Sequence, residues 1–113
     1  MTKQTFLYMI KMLKQADKRC EEFNNTLDSI LQMPFKNDGA KTDGFSMMLW
    51  PFEAVADIFK TLLVEMGESK GGAGWFIYEG IEQIENGGTE IEDDGITYKI
   101  KSFEDYYDYL NQR

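Results

Sequence analysis

Residues 74–110 read GWFIYEGIEQIENGGTEIEDDGITYKIKSFEDYYDYL, and the rest of the chain is organised around this stretch. Within it, Thr89-Glu90-Ile91-Glu92 alternates polar and apolar side chains, Asp93-Asp94-Gly95 follows, and Ile96-Thr97-Tyr98-Lys99-Ile100 resumes the two-residue period. Such alternation gives a strand one apolar face, and an Asp-Gly pair tolerates the positive φ angles of a tight hairpin turn. The expected hairpin turns Ile96, Tyr98 and Ile100 to one side with Ile91 opposite, leaving Glu90, Glu92, Thr97 and Lys99 in water. A lone hairpin is marginal in water, so helices must cover its apolar face. Ser102 stands three residues before Asp105, an N-cap with an acid in the first turn. Phe103, Tyr106, Tyr107 and Leu110 then recur at helical spacing, so the stretch should end in a short helix folded back on the hairpin.

Working upstream, Trp75 to Glu85 reads as a helix with Gly74, Ile77, Tyr78, Ile81 and Ile84 on a face suited to burial. Glu79, Glu82, Gln83 and Asn86 point outward, and Asn86-Gly87-Gly88 ends the element. Gly80 in its middle either weakens the helix or admits another backbone. Residues 67–74, GESKGGAG, read as a flexible connector. Gly67 and Gly72 have the spacing of a phosphate-binding loop, but Ala73-Gly74 stand where Lys-Ser/Thr is required and no strand precedes. A dinucleotide GxGxxG pattern fails as well, because Ile77 occupies the third glycine position.

Earlier still, Phe52, Val55, Phe59, Leu62, Leu63 and Met66 mark a helix with Pro51 in its first turn and Gly67 as its stop. Met47, Met48, Leu49 and Trp50 just before it form an extra turn kinked at Pro51, seal the core, or present an adaptable apolar dock. Residues 35–45, FKNDGAKTDGF, contain two Asp-Gly pairs and read as a mobile loop. Over residues 3–31, Phe6, Leu7, Ile10, Leu13, Ala16, Cys20, Phe23, Leu27, Ile30 and Leu31 recur at three- and four-residue steps without glycine or proline. This is the clearest helix, with Asn24-Asn25 a point of fraying or breaking before Pro34, and Lys11, Lys14 and Lys18 make a basic strip along it. The fold class is therefore α+β, mainly helical: about three helices, a two-stranded antiparallel hairpin and a C-terminal helix in one domain spanning 1–113.

The 113 residues are 42% hydrophobic and 14% aromatic, enough for a modest core and too apolar for disorder. One cysteine, Cys20, rules out an intrachain disulfide framework and fits a reducing, cytoplasmic setting. Lysines interrupt the first 18 residues, which lack the apolar core of a secretory signal, and the run from Met47 to Phe52 is too short to span a bilayer.

Charge is uneven. Residues 1–70 carry 9 basic and 10 acidic groups, net −1, whereas 71–113 carry 3 and 10, which is −7 of the total −8. A one-sided negative field disfavours direct nucleic-acid or membrane binding and favours a basic protein partner. Its bland alternative is solubility alone.

With no histidine in the chain, Ser-His-Asp triads, Cys-His pairs, HExxH zinc sites and Glu-x-x-His metal ligation are impossible. Cys20 falls mid-helix on the apolar stripe, where a thiol acts as a small hydrophobe. Glu79/Glu82 and Glu90/Glu92 lie on expected solvent faces, without the apolar surroundings that would shift a carboxyl toward acid–base work. Glu92-Asp93-Asp94-Gly95 lacks the alternating ligands and closing glutamate of a calcium loop. A non-enzymatic chain without metal or cofactor is expected.

The WFIYEG segment, the acidic Gly-Gly and Asp-Gly turns and ITYKIKSFEDYYDYL together resemble small acidic proteins encoded by phages and prophages of Gram-positive bacteria. The likeness covers residues 74–110 and implies an accessory role in the infected cell, with no functional residues to carry across. Two readings follow. In the first, Glu79, Glu82, Glu90, Glu92, Asp93, Asp94, Glu104, Asp105 and Asp108 form one acidic face that binds a basic host protein, in its sharpest form a DNA mimic inhibiting a defence nuclease. In the second, Met47, Met48 and Trp50 dock the chain into an assembly as a structural component.

Overall fold

The computed structural model of the protein describes residues 1–31 and 39–112; the side chains of 23, 24, 26–31 and 39–51 are outside the description. Thr2 opens the first helix by accepting the Thr5 amide on its Oγ1 at 3.1 Å. From there α1 (Lys3–Leu31) runs without the expected break at Asn24-Asn25. Asparagine costs a helix only about 0.7 kcal/mol relative to alanine, less than is lost by interrupting a cooperative ladder. Phe6, Ile10, Leu13, Ala16 and Cys20 are buried as the spacing predicts; Phe23, Leu27, Ile30 and Leu31 lie outside the described side chains.

α2 (Gly39–Glu65) corrects two expectations. The second half of the expected 35–45 loop, from Gly39 onward, is helix, and 35–38 lie outside the described residues. Pro51 is inside the element rather than in its first turn. Once the Ala56, Phe59 and Leu63 face is packed, each further residue adds one backbone bond, and glycine subtracts only about 1 kcal/mol. An interior proline forgoes one such bond and crowds the carbonyl four residues back, at about 3 kcal/mol, yet the helix continues through it. The stop at Gly67 is as read: φ is +103° there, Gly67 N–H donates to the Val64 carbonyl, and Glu68 N–H reaches back to Leu63. That is a Schellman closure, which satisfies carbonyls the helix would leave bare.

The Gly-rich connector is shorter than expected, because α3 (Lys70–Trp75) forms within it. Ser69 supplies the reason: its Oγ accepts the Gly72 amide at 3.0 Å and starts the helix, while Ala73 anchors it in the core. The chain continues helically through a π-turn segment (Phe76–Gly80) into α4 (Ile81–Glu85), with Ile81 N–H reaching the Phe76 carbonyl. Gly80 decides between its two readings in favour of close approach, but to rings rather than to backbone. A Cβ there would sit 3.0 Å from Trp75 Cζ3 and 3.1 Å from Phe76 Cδ2.

β1 (Thr89–Asp93) and β2 (Ile96–Ile100) pair antiparallel in the register Ile91↔Tyr98, with Asp93↔Ile96 closing the ladder. Asp94 and Gly95 have φ of 54° and 77°, the two positive values of a type I′ turn. Ser102 and Asp105 cap α5 (Phe103–Gln112) reciprocally, each side chain accepting the other's amide at 3.1 Å.

α1 and α2 pack against each other as an antiparallel pair, and the π segment, α4, the hairpin and α5 close over one end of it, giving extents of 57 × 27 × 25 Å. At that end Phe6 is fully buried among Phe59, Phe76, Tyr106 and Tyr107, with centroids 5.5 to 6.1 Å away. Phe76 and Tyr106 stack at 4.0 Å with planes 1° apart. Ring pairs of this kind add about 0.5–1.5 kcal/mol beyond the area they bury.

Candidate functional site

The nine carboxylates expected to share a face divide into distinct groups. Glu79 sits in the π segment, Glu82 on α4, and Glu90 and Glu92 on the outward side of β1, all exposed. Thr89 Oγ1 donates to Gln83 Oε1 at 2.8 Å, which ties the start of β1 to α4. Gln83 consequently lines one concavity with Glu79 and Glu82 and a second with Glu90 and Glu92. These four acids flank a single seam, and among the described residues none of them forms an ion pair.

Three others are committed elsewhere, which corrects the expected single face. Asp93 shares the inward side of β1 with Ile91, because register gives alternate residues opposite sides, and its Oδ2 accepts the Tyr109 hydroxyl at 3.1 Å. Asp105 is half-buried, its Oδ2 accepting the Lys101 and Ser102 amides at 3.0 and 3.1 Å. Asp108 faces Lys3, with Nζ 3.1 Å from its Oδ1. Asp94 occupies the hairpin turn and Glu104 the first turn of α5, both exposed, and the structure does not bring them to the Gln83 seam. The acidic surface is therefore four residues on three elements, the π segment, α4 and β1.

Met47, Met48 and Trp50, the expected apolar dock, belong to α2 by backbone, and their side chains lie outside the described residues. Among the described residues, no three acidic or thiol groups converge as metal ligands would, and no helix is long and apolar enough to cross a membrane.

Two concave sites escaped the reading of the sequence. One is a groove of about 590 Å³ between α1 and the π segment, floored by Leu13, Phe52, Ile77 and Ile81. Tyr78 stands at its edge, 54% exposed, with its ring 6.1 Å from Phe52 and Lys60 Nζ 4.9 Å above it. Helical spacing assigned Tyr78 to the buried face; the buried stripe instead follows Ala73, Phe76, Ile77, Gly80, Ile81 and Ile84, and Phe76 takes the core position. Glu82 and Glu85 rim this groove, with Glu85 Oε2 2.6 Å from Lys14. The other site is an open depression of about 480 Å³ on the opposite flank of Lys14, floored by Leu7, Ile10 and Phe103. The lysine strip on α1 was the available signal for both, since each is bordered by Lys14 and Lys18.

Compared with models of protein families, with curated proteins and with solved structures, the chain matches none of them.

Proposed function

We propose that the chain is a non-catalytic interaction protein that binds a basic protein surface through Glu79, Glu82, Glu90 and Glu92. The observation that carries this reading is the seam itself. Four exposed carboxylates from three elements border one hydrogen-bonded junction, none of them in an ion pair among the described residues. Glu90 stands opposite Lys99 in the hairpin register and shares a concavity with Lys99 and Lys101, so the seam's excess negative charge rests chiefly on Glu79, Glu82 and Glu92, where a partner that supplies arginine or lysine gains contact. Tyr78, exposed on the same π segment as Glu79, adds an aromatic of the kind enriched at protein contacts.

The finer reading, an accessory protein of phage or prophage origin that mimics DNA toward a defence nuclease, draws on the resemblance over residues 74–110. With Asp93 and Asp105 engaged within the fold and Asp108 facing Lys3, the charge string suits a compact basic patch better than a long nucleic-acid channel. Affinity capture from a host lysate tests the reading. Capture should fail at high salt and with Glu79→Lys, Glu82→Lys, Glu90→Lys and Glu92→Lys combined, and duplex DNA should displace the partner if the mimic form holds. Capture that survives the four reversals overturns the acidic surface as the binding site.

A further inference from the structure

One edge of β1 is bare. β2 pairs with it along one side, and among the described residues no third strand joins the sheet. The two-residue Asp94-Gly95 turn makes Asp93↔Ile96 a hydrogen-bonded pair, so by alternation Ile91↔Tyr98 is bonded too, while Glu92↔Thr97 and Glu90↔Lys99 are not. The N–H and C=O groups of Glu90 and Glu92 therefore point away from β2, and among the described residues none of them meets a backbone partner. Beside this edge lies an open concavity of about 390 Å³, walled by Glu68, Trp75 and Gln83 and touching Thr89, Glu90, Ile91 and Glu92 in succession. A hollow over one face of a strand touches alternate residues, so the unbroken run places this one along the edge.

The groups along the edge say what completes them. Backbone donors and acceptors spaced along a strand are matched by the backbone of another extended segment, the strand addition by which sheet edges take peptides. Side chains of an added strand alternate between two surroundings. On the outward side they stand across from Glu90 and Glu92; on the inward side they meet Ile91, Trp75 and Tyr109. Three carboxylates line the concavity and, among the described residues, no lysine or arginine does. Outward positions are thus selected as basic and inward ones as apolar. Glu90 already stands opposite Lys99, so Glu92 carries most of the attraction. A second copy of this chain is a poor occupant, because pairing β1 with β1 about a two-fold axis sets Glu90 and Glu92 against the same acids. The free edge of β2 bears Lys99 with Lys101 beside it, which repel a basic segment.

We propose that β1 receives an extended segment of a partner protein in which basic and apolar residues alternate, hydrogen-bonded to the backbone of Glu90 and Glu92 with its apolar side chains against Ile91 and Trp75. Gln83 is tied to Thr89 at the start of β1, so the added strand runs from Glu90 toward the turn. The inference rests on the acidic seam as the binding surface and adds what the partner presents there: a strand, rather than a helix or a folded basic patch.

Amide hydrogen exchange of the full chain, read by NMR, tests it, with a heptapeptide of alternating arginine and valine as the probe and spermine as a cation without a peptide backbone. The heptapeptide should slow exchange of the Glu90 and Glu92 amides about tenfold or more and leave Thr97 and Lys99 as they were, whereas spermine should slow neither. Glu92→Gln, which keeps the amide, should weaken the peptide several-fold with the protection retained. Glu92→Pro removes the amide at an edge position where proline is tolerated, and should weaken the peptide about tenfold further. The Tyr98–Tyr109 ring contact shows whether that variant keeps its hairpin; the native chain and Glu92→Gln decide the matter if it does not. Peptide binding without protection of Glu90 and Glu92, or with protection at Thr97 and Lys99 instead, overturns the strand and leaves the acidic surface standing. No binding of the peptide overturns the proposal as well, and the four lysine reversals in the capture assay judge the seam separately.

Discussion

Tyr106 donates its phenolic hydrogen to Glu68 Oε2 at 2.9 Å, joining α5 to the α2–α3 corner across 38 residues of sequence. The other oxygen of that carboxylate accepts the Ser69 amide at 2.9 Å, so one side chain holds both the helix start and the final helix. The Tyr106 ring is fully buried against Phe76, which fixes where the hydroxyl points.

Tyr106→Phe keeps the stack and removes the hydroxyl. It should cost about 1.5–3 kcal/mol in urea unfolding, the usual value of a hydrogen bond to a charged acceptor. Tyr106→Ala, which also empties the ring's place, should cost about 3–5 kcal/mol. Equal losses for the two variants would mean that the hydroxyl carries the whole effect and the stack none.

Gly72→Ala should behave differently in the two backgrounds. An added Cβ falls on the Glu68 carboxylate and 3.1 Å from Ser69 Oγ, so the side chain must swing away from Tyr106. In the native chain that loss offsets the helix-propensity gain of about 1 kcal/mol. With Tyr106→Phe already present there is less to lose, and a double-mutant cycle should show coupling of about 0.5–1 kcal/mol.

Gly80→Ala should destabilise by about 1–2 kcal/mol in spite of alanine's better propensity. Its Cβ meets Phe76, which is stacked on Tyr106 and cannot retreat, and Trp75 on the other side. Thermal unfolding of the variant beside Gly74→Ala, where nothing lies within 4 Å of the added atom, separates crowding from propensity.

Gly95→Val should cost about 1–2 kcal/mol, because φ of +77° is strained for a β-branched residue. Asp94→Asn keeps a side chain that tolerates the left-handed region and should change stability by less than about 0.5 kcal/mol. Chemical denaturation of the two variants side by side checks the turn type.

Lys14→Ala and Lys3→Ala should each change stability by less than about 0.5 kcal/mol, at low and at high salt. Both lysines are in short pairs, with Glu85 and Asp108, but the side chains are 38–52% exposed and screening leaves such contacts little worth.

Local chemistry was legible wherever it acts within a few residues. The Asp94-Gly95 turn, the Ser102–Asp105 cap, the Gly67 stop and the apolar steps of α1 each depend on groups fewer than five positions apart or on one glycine's φ. The misreadings arose where a longer-range gain outweighed a local preference. Ser69 and the buried Ala73 draw GGAG into a helix, and Phe76 displaces Tyr78 from the core because it fits between Phe6 and Tyr106.

The α+β class, the alternation that makes the hairpin, and the excess of negative charge in the last 43 residues follow from side-chain type and spacing alone. Which carboxylates lie near one another came from long-range packing. Asp93 meets a tyrosine 16 positions away, and Asp108 faces Lys3 at the other end of the chain. Tyr107 donates to the Met1 carbonyl across 106 residues, drawing that lysine to α5. A carboxylate's charge is written in the sequence, but whether it is spent inside the fold depends on which donors folding brings within about 3 Å of it.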